Sequence, residues 1–227
     1  MGGNDARPPL YEAPESRDRF DAAARRAQQH FWEAQAADWD DARAARGLQP
    51  CHIAAMAPWL AAPVLLIGAG RGAVLQGLRA AGYAATGIDW SAAMVAQAQR
   101  AGVAGLSQGD AGHLTDADQS LASVIVSTGV LLPTQSQARR TAYLGEAWRV
   151  LIPGGRLILC LWFEPDSAAA RLAAENVKLP IHTLRAQVHW SLDALAASLS
   201  ACGFQSLDQS MQDDVLVWSL AKPEGNS

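Results

Sequence analysis

Val64-Leu65-Leu66-Ile67-Gly68-Ala69-Gly70-Arg71-Gly72 decides how this chain folds. Four apolar residues in a row, bounded by Pro63 and Gly68, are too few for a buried helix and suit a strand covered on both faces. The glycines then make a tight turn, and Ala73 to Ala81 reads as a helix. Glycine lets the backbone pass close to a ligand, and a helix N-terminus offers unpaired N–H groups. Gly82 ends the helix, Ala84 to Ile88 forms a second short strand, and Asp89 stands at its end. A carboxylate there can accept hydrogen bonds from both hydroxyls of a ribose. Turn and carboxylate together indicate a ligand containing adenosine without saying which, because Gly68, Gly70 and Ala73 also satisfy the dinucleotide pattern.

The alternation continues outward. Ser91 is placed to cap a helix running to about Ala101. A third strand lies near Leu106, a fourth spans Leu121 to Ser127, and a helix follows from about Gln135 to Val150. After a Pro153-Gly154-Gly155 turn, Arg156 to Trp162 is a fifth strand. Strands alternating with helices imply a mainly parallel sheet covered on both sides. The end differs: a helix over Leu192 to Cys202, then short strands over Phe204 to Leu207 and Val215 to Leu220, close enough to pair antiparallel. The fold class expected is α/β, a doubly wound Rossmann-like seven-stranded sheet with its last strand antiparallel, under a helical N-terminal cap. Residues 1–15 read as a disordered tail and 16–227 as a single domain, with the cap over 16–60 and the core over 61–223.

Composition excludes more than it identifies. The chain has 227 residues, half of them apolar, and a formal net charge of -4, with no basic block to bind nucleic acid non-specifically. Three cysteines, Cys51, Cys160 and Cys202, lie far apart, which argues against a disulfide framework or a zinc site. Neither an apolar signal segment nor a membrane-spanning stretch is visible, so a cytoplasmic protein is expected.

Three later features favour S-adenosylmethionine over NAD: Gly109-Asp110-Ala111 after the third strand, Arg149-Val150-Leu151-Ile152-Pro153-Gly154-Gly155 before the fifth, and the antiparallel C-terminal pair. With these, the chain from about Pro63 to Pro223 resembles the class I S-adenosylmethionine-dependent methyltransferases, in their small-molecule branch. Gly87-Ile88-Asp89-Trp90-Ser91 with Met94 is similar to the family's ribose motif, and Glu146 joins the helix-to-strand turn. The resemblance implies a cofactor site of Gly68, Ala69, Gly70 and Gly72 near the amino-acid moiety and Asp89 on the ribose. It also implies Trp90 and Met94 against the adenosine, Asp110 and Ala111 at the adenine edge, and Thr128 and Gly129 on the sulfonium side. Trp39-Asp40 resembles an aromatic-Asp pair of the family's cap, which can close over the ligand, so the resemblance also adds Trp39 to the cofactor site. Two positions depart from the family pattern: Leu66 replaces an acid that helps hold the ligand's amino group, and Ala122 replaces an acid near the start of the fourth strand.

The acceptor pocket of such a fold forms above the C-terminal strand ends. His30, Trp32, Trp162, Phe163, His189 and Trp190 could line it, and His182 is the candidate general base. Methyl transfer needs alignment and exclusion of water more than a catalytic group, so a base is not obligatory. A small planar or amine-bearing acceptor is expected, with no nucleic-acid partner, no membrane partner and no metal; the oligomeric state is left open. Two alternatives stand beside this reading. One is S-adenosylmethionine binding with other chemistry or none, which Leu66 motivates. The other is an NAD(P)-dependent oxidoreductase, weakened because none of Tyr11, Tyr83 and Tyr143 has a Lys four positions later.

Overall fold

The four residues of Val64–Ile67 are all buried, and their side chains alternate between two separate apolar clusters. Leu65 and Ile67 point to one face and Val64 and Leu66 to the other. A strand that must satisfy both faces reads as continuously apolar, which is why this one carries no polar residue. The computed structural model describes residues 26–27, 29–36, 48–131, 137–162, 192–212 and 215–224.

Seven strands form one sheet: β1 Val64–Ile67, β2 Ala85–Asp89, β3 Leu106–Gln108, β4 Leu121–Val126, β5 Leu151–Trp162, β6 Gln205–Gln212 and β7 Val215–Ala221. Their order is β3-β2-β1-β4-β5-β7-β6. The first five are parallel, and β7 runs antiparallel to both β5 and β6. Helices α1 Ala73–Ala80 and α2 Ala92–Arg100 cover the face of Val64 and Leu66, together with Ile53 and Met56. Helices α3 Gln137–Val150 and α4 Leu192–Ala201 cover the face of Leu65 and Ile67 through Leu144, Val150, Leu195 and Leu199. The sheet is thus doubly wound, as expected. The order reverses between β1 and β4, so the crevice where such folds bind ligands opens at the C-terminal ends of those two strands.

Two boundaries differ from the sequence expectation, each for a physical reason. The Pro153-Gly154-Gly155 turn lies inside β5, not before it. Gly154 adopts φ +75°, its N–H donates to the Lys222 carbonyl, and the Lys222 N–H donates to the Gly155 carbonyl, so the irregular stretch is still paired. β4 shifts register there, between Leu121 and Ser123. Strand β6 extends to Gln212, well past Leu207. It is an edge strand, exposed almost throughout, and its sequence QSLDQSMQ has no burial signal. Its pairing with β7 alone sets its length.

Of the N-terminal region, residues 29–36 are helical. Among the described residues no helix is long and apolar enough to cross a membrane.

Candidate functional site

The turn after β1 is built by glycines with distinct duties. Gly68, Gly70 and Gly72 all have positive φ, at +76°, +54° and +86°. A Cβ on Gly68 would lie 2.4 Å from Val130 Cγ2, and one on Gly72 would lie 2.6 Å from Val103 Cγ1. Those two glycines are required by close packing. A Cβ on Gly70 would meet nothing within 4 Å. Gly70 therefore faces open space at the mouth of the crevice, where a ligand can approach the backbone. The N–H groups of Gly68 and Ala69 both donate to the Ile88 carbonyl, which locks the turn onto the end of β2.

Asp89, at that end, is joined directly to the turn. Its Oδ2 accepts from the Gly70 N–H at 2.7 Å and its Oδ1 from the Ser91 N–H at 2.9 Å. Burial pushes the Asp89 carboxyl above its ordinary value; the backbone bonds from Ser91 and Gly70 oppose this, and the nearby Glu33 adds to it. A carboxylate held by backbone amides, with its charge disfavoured by burial, is available to a ligand that can donate hydrogen bonds. Ser91 caps α2, as expected: its side chain accepts from the Met94 N–H at 3.2 Å. Met94 is buried, and Trp90 is half-buried with its carbonyl accepting from Gln108 Nε2.

The remaining described candidates extend this row. Asp110 follows β3, accepts from the Gly112 N–H at 2.9 Å, and bridges to His113. Ala111 is buried beside it. Thr128 and Gly129 are half-buried just beyond β4. Along the order β3-β2-β1-β4, Asp110, Asp89, the glycine turn and Thr128-Gly129 occupy consecutive strand ends. Three strand spacings make a row about 14 Å long, enough for a base, a sugar and a tail laid end to end.

The leading helix reaches over the same edge. A Cβ on Gly129 would come within 3.3 Å of the Trp32 ring, and Trp32 stacks edge-on against Phe31. Glu33 accepts from the N–H groups of Ala92 at 2.7 Å and Ala93 at 2.9 Å, the first two of α2. Gln97 Nε2 donates to the Ala36 carbonyl at 2.6 Å. Sequence reasoning missed Glu33: it lies 59 and 60 residues from the two amides it binds, and no local spacing signals such a contact. His30 lies exposed on this helix among the described residues. Trp162 ends β5 opposite Val215. Trp39, Phe163, His182, His189 and Trp190 lie outside the described residues.

Leu66 is 1% exposed, paired between Gly87 and Ile125, and packed in the cluster that holds Met56 and Cys160. The position that departs from the family pattern has become core. Ala122 is likewise buried, at the register shift of β4. Burial pushes the Cys160 thiol up to about 12, so this cysteine is inert packing. Among the described residues no three His, Cys, Asp or Glu side chains converge on a metal position.

Residues 65–159 match the family profile described as a methyltransferase domain. Three solved structures share the fold. An S-adenosylmethionine-dependent methyltransferase from Methanosarcina mazei is 19% identical, with 75% of this chain and 97% of that one covered at a TM-score of 0.62. A protein solved in complex with the Haloferax volcanii Trm112 methyltransferase activator is 18% identical, with 89% of this chain and 99% of that one covered at 0.64. A glycopeptide N-methyltransferase complexed with S-adenosylmethionine is 18% identical, with 77% and 87% covered at 0.59. No curated protein matches in sequence.

Proposed function

We propose that this chain, whose residues 65–159 match a methyltransferase-domain profile, is a class I S-adenosylmethionine-dependent methyltransferase that delivers its methyl group to a small-molecule acceptor. The observation that carries the proposal is Trp32 against Gly129. The leading helix brings an indole to the end of β4, beside the strand ends where the donor's adenosine half would lie. An aromatic wall there suits a flat ring or a cationic amine, and a side chain this close leaves little room for a polymer. The net charge of -4 supplies no field to attract a nucleic-acid backbone.

Within this reading the donor contributes a sulfonium methyl that is already activated, and the chain's residues bind and align it. Asp89 would accept the ribose hydroxyls, Asp110 and Ala111 would meet the adenine edge, and Trp90 and Met94 would pack against the adenosine. The turn from Gly68 through Ala69 and Gly70 to Gly72 would lie along the amino-acid end, with Thr128 and Gly129 at the reacting carbon. The open space at Gly70 and the buried, amide-held Asp89 fit such a ligand. Alignment and exclusion of water account for most of the rate in such a displacement, roughly 7–11 kcal/mol. Trp39 would close over the cofactor, Trp162, His189 and Trp190 would enclose the acceptor, and His182 would take its proton where one must leave.

The test supplies methyl-labelled S-adenosylmethionine together with separated cell fractions. Label is expected in the small-molecule fraction. Label in RNA, DNA or protein instead would overturn the acceptor class. His182→Ala should then lower turnover while binding of S-adenosylhomocysteine is kept, and unchanged turnover would remove His182 from the reaction.

A further inference from the structure

We propose that Glu33 is a positioning residue that couples the seating of the leading helix to occupancy of the Asp89 site. The inference rests on the donor reading above and adds a residue to it. Helix α2 begins directly after the Asp89 turn, and its first three amides are satisfied by side chains from two places. Ser91 takes the Met94 N–H, while Glu33 takes those of Ala92 and Ala93. The Asp89 carboxylate in turn holds the Ser91 N–H on one oxygen and the Gly70 N–H on the other. One continuous path of backbone and hydrogen bonds thus runs from the glycine turn through Asp89 and Ser91 to Glu33. A return contact runs from Gln97 Nε2, which donates to the Ala36 carbonyl.

The same helix carries Trp32, on the adjoining residue, to Gly129 on the far side of the crevice. Glu33 and Trp32 therefore place one helix across the switch point, anchored at α2 and resting on the end of β4. Ordering the Asp89 turn by a ligand would order the α2 N-terminus, and with it the acceptors that Glu33 offers. By linkage, a seated helix must then favour the ligand by the same factor that the ligand favours seating.

The experiment is hydrogen exchange by mass spectrometry on the full chain, with and without S-adenosylhomocysteine, beside calorimetric affinity. In the wild type, S-adenosylhomocysteine should slow exchange both in residues 68–72 with 89–93 and in residues 29–36. In Glu33→Ala, protection of 68–72 should persist and protection of 29–36 should vanish. Affinity should weaken about fivefold, the worth of a helix cap expressed as a binding ratio. Glu33→Gln keeps one acceptor oxygen and should recover part of both effects, which also covers the case of an unstable alanine variant. Protection of 29–36 that survives in both variants, or that is missing in the wild type, overturns the coupling. A wild type that does not bind S-adenosylhomocysteine fails one step earlier and overturns the donor reading together with the coupling.

Discussion

Asp89 and Glu146 are both partly enclosed carboxylates, yet they are held in opposite ways. Asp89 accepts from the backbone amides of Gly70 and Ser91. Glu146 is gripped by a guanidinium: Arg149 Nε donates to Oε1 and Nη2 to Oε2, each at 2.8 Å, and the Leu114 N–H adds a third bond at 2.7 Å. Arg149 also reaches the carbonyls of Leu114 and Asp116 and the carboxylate of Asp118, so the pair fastens the loop over residues 114–118. Burial holds the Asp89 carboxyl above its ordinary value, whereas the Arg149 bond holds Glu146 below its own. The signs follow. Glu146 contributes stability that is present above its unfolded pKa and lost as pH falls through its lowered folded value. Asp89 does the reverse: its contribution is complete below the unfolded value of 3.8 and lost as pH rises through the raised folded value. At neutral pH one carboxylate supports the fold and the other opposes it. A protein keeps the second kind where a ligand can use it.

The comparison breaks first at Asp89. Asp89→Ala should weaken S-adenosylhomocysteine at least tenfold and by up to about 3 kcal/mol, the worth of one to two charge-assisted bonds. The melting temperature should stay within about 2–4 °C, a change of roughly 1 kcal/mol in a domain of this size. Affinity should also fall as pH drops through the raised pKa of Asp89, at a higher pH than an exposed aspartate would give. Calorimetry across a pH series measures both. Unchanged affinity in the folded variant, or an acid limb at the ordinary aspartate value, would remove Asp89 from the ribose.

Arg149→Met should show the mirror image. It strips Glu146 of its guanidinium and frees the 114–118 loop, at a cost of about 2 kcal/mol, since both side chains are partly exposed, at 31% and 20%. That corresponds to about 4–8 °C in melting temperature. Binding of S-adenosylhomocysteine by the folded variant should change by less than about threefold, under 1 kcal/mol. A large loss of binding with little loss of stability would mean that the loop, and not Asp89, carries the site.

What could be read from the chain follows from the range of the interactions. The glycine turn and Asp89 lie within one strand-turn-helix-strand unit, where spacing along the sequence determines spacing in the fold, so both were legible. The doubly wound sheet was legible because strands buried on both faces leave continuous apolar runs such as Val64–Ile67. The length of β6 was not, because an edge strand on the solvent side needs no apolar pattern. Nor was the use of Glu33, which depends on a helix laid across the sheet edge and on amides that every residue possesses. Leu66 was legible as a departure, but its meaning was not. Only the register between Gly87 and Ile125, and the cluster with Met56, show that its side chain belongs to the core.

Gly70 offers the finest probe of the contrast between groups kept for folding and groups kept for a ligand. Gly68 and Gly72 of the same turn are glycines because Val130 and Val103 leave no room for a Cβ. At Gly70 the room exists, and only the φ of +54° resists a side chain. Gly70→Ala should therefore cost about 1 kcal/mol of stability from the left-handed backbone alone. Gly68→Ala should cost more, because the same backbone strain is joined by a 2.4 Å approach to Val130 Cγ2. The added methyl of Gly70→Ala stands in the open space beside Asp89, where the donor's tail would pass. Affinity for S-adenosylhomocysteine should fall by about fivefold to tenfold, roughly 1 kcal/mol, in a protein that melts only slightly earlier. Paired calorimetry and thermal melts on the two variants make the measurement. A Gly70→Ala protein that binds as tightly as the wild type would show that the space is not used by the ligand. The glycine would then serve the turn alone, as Gly68 and Gly72 do.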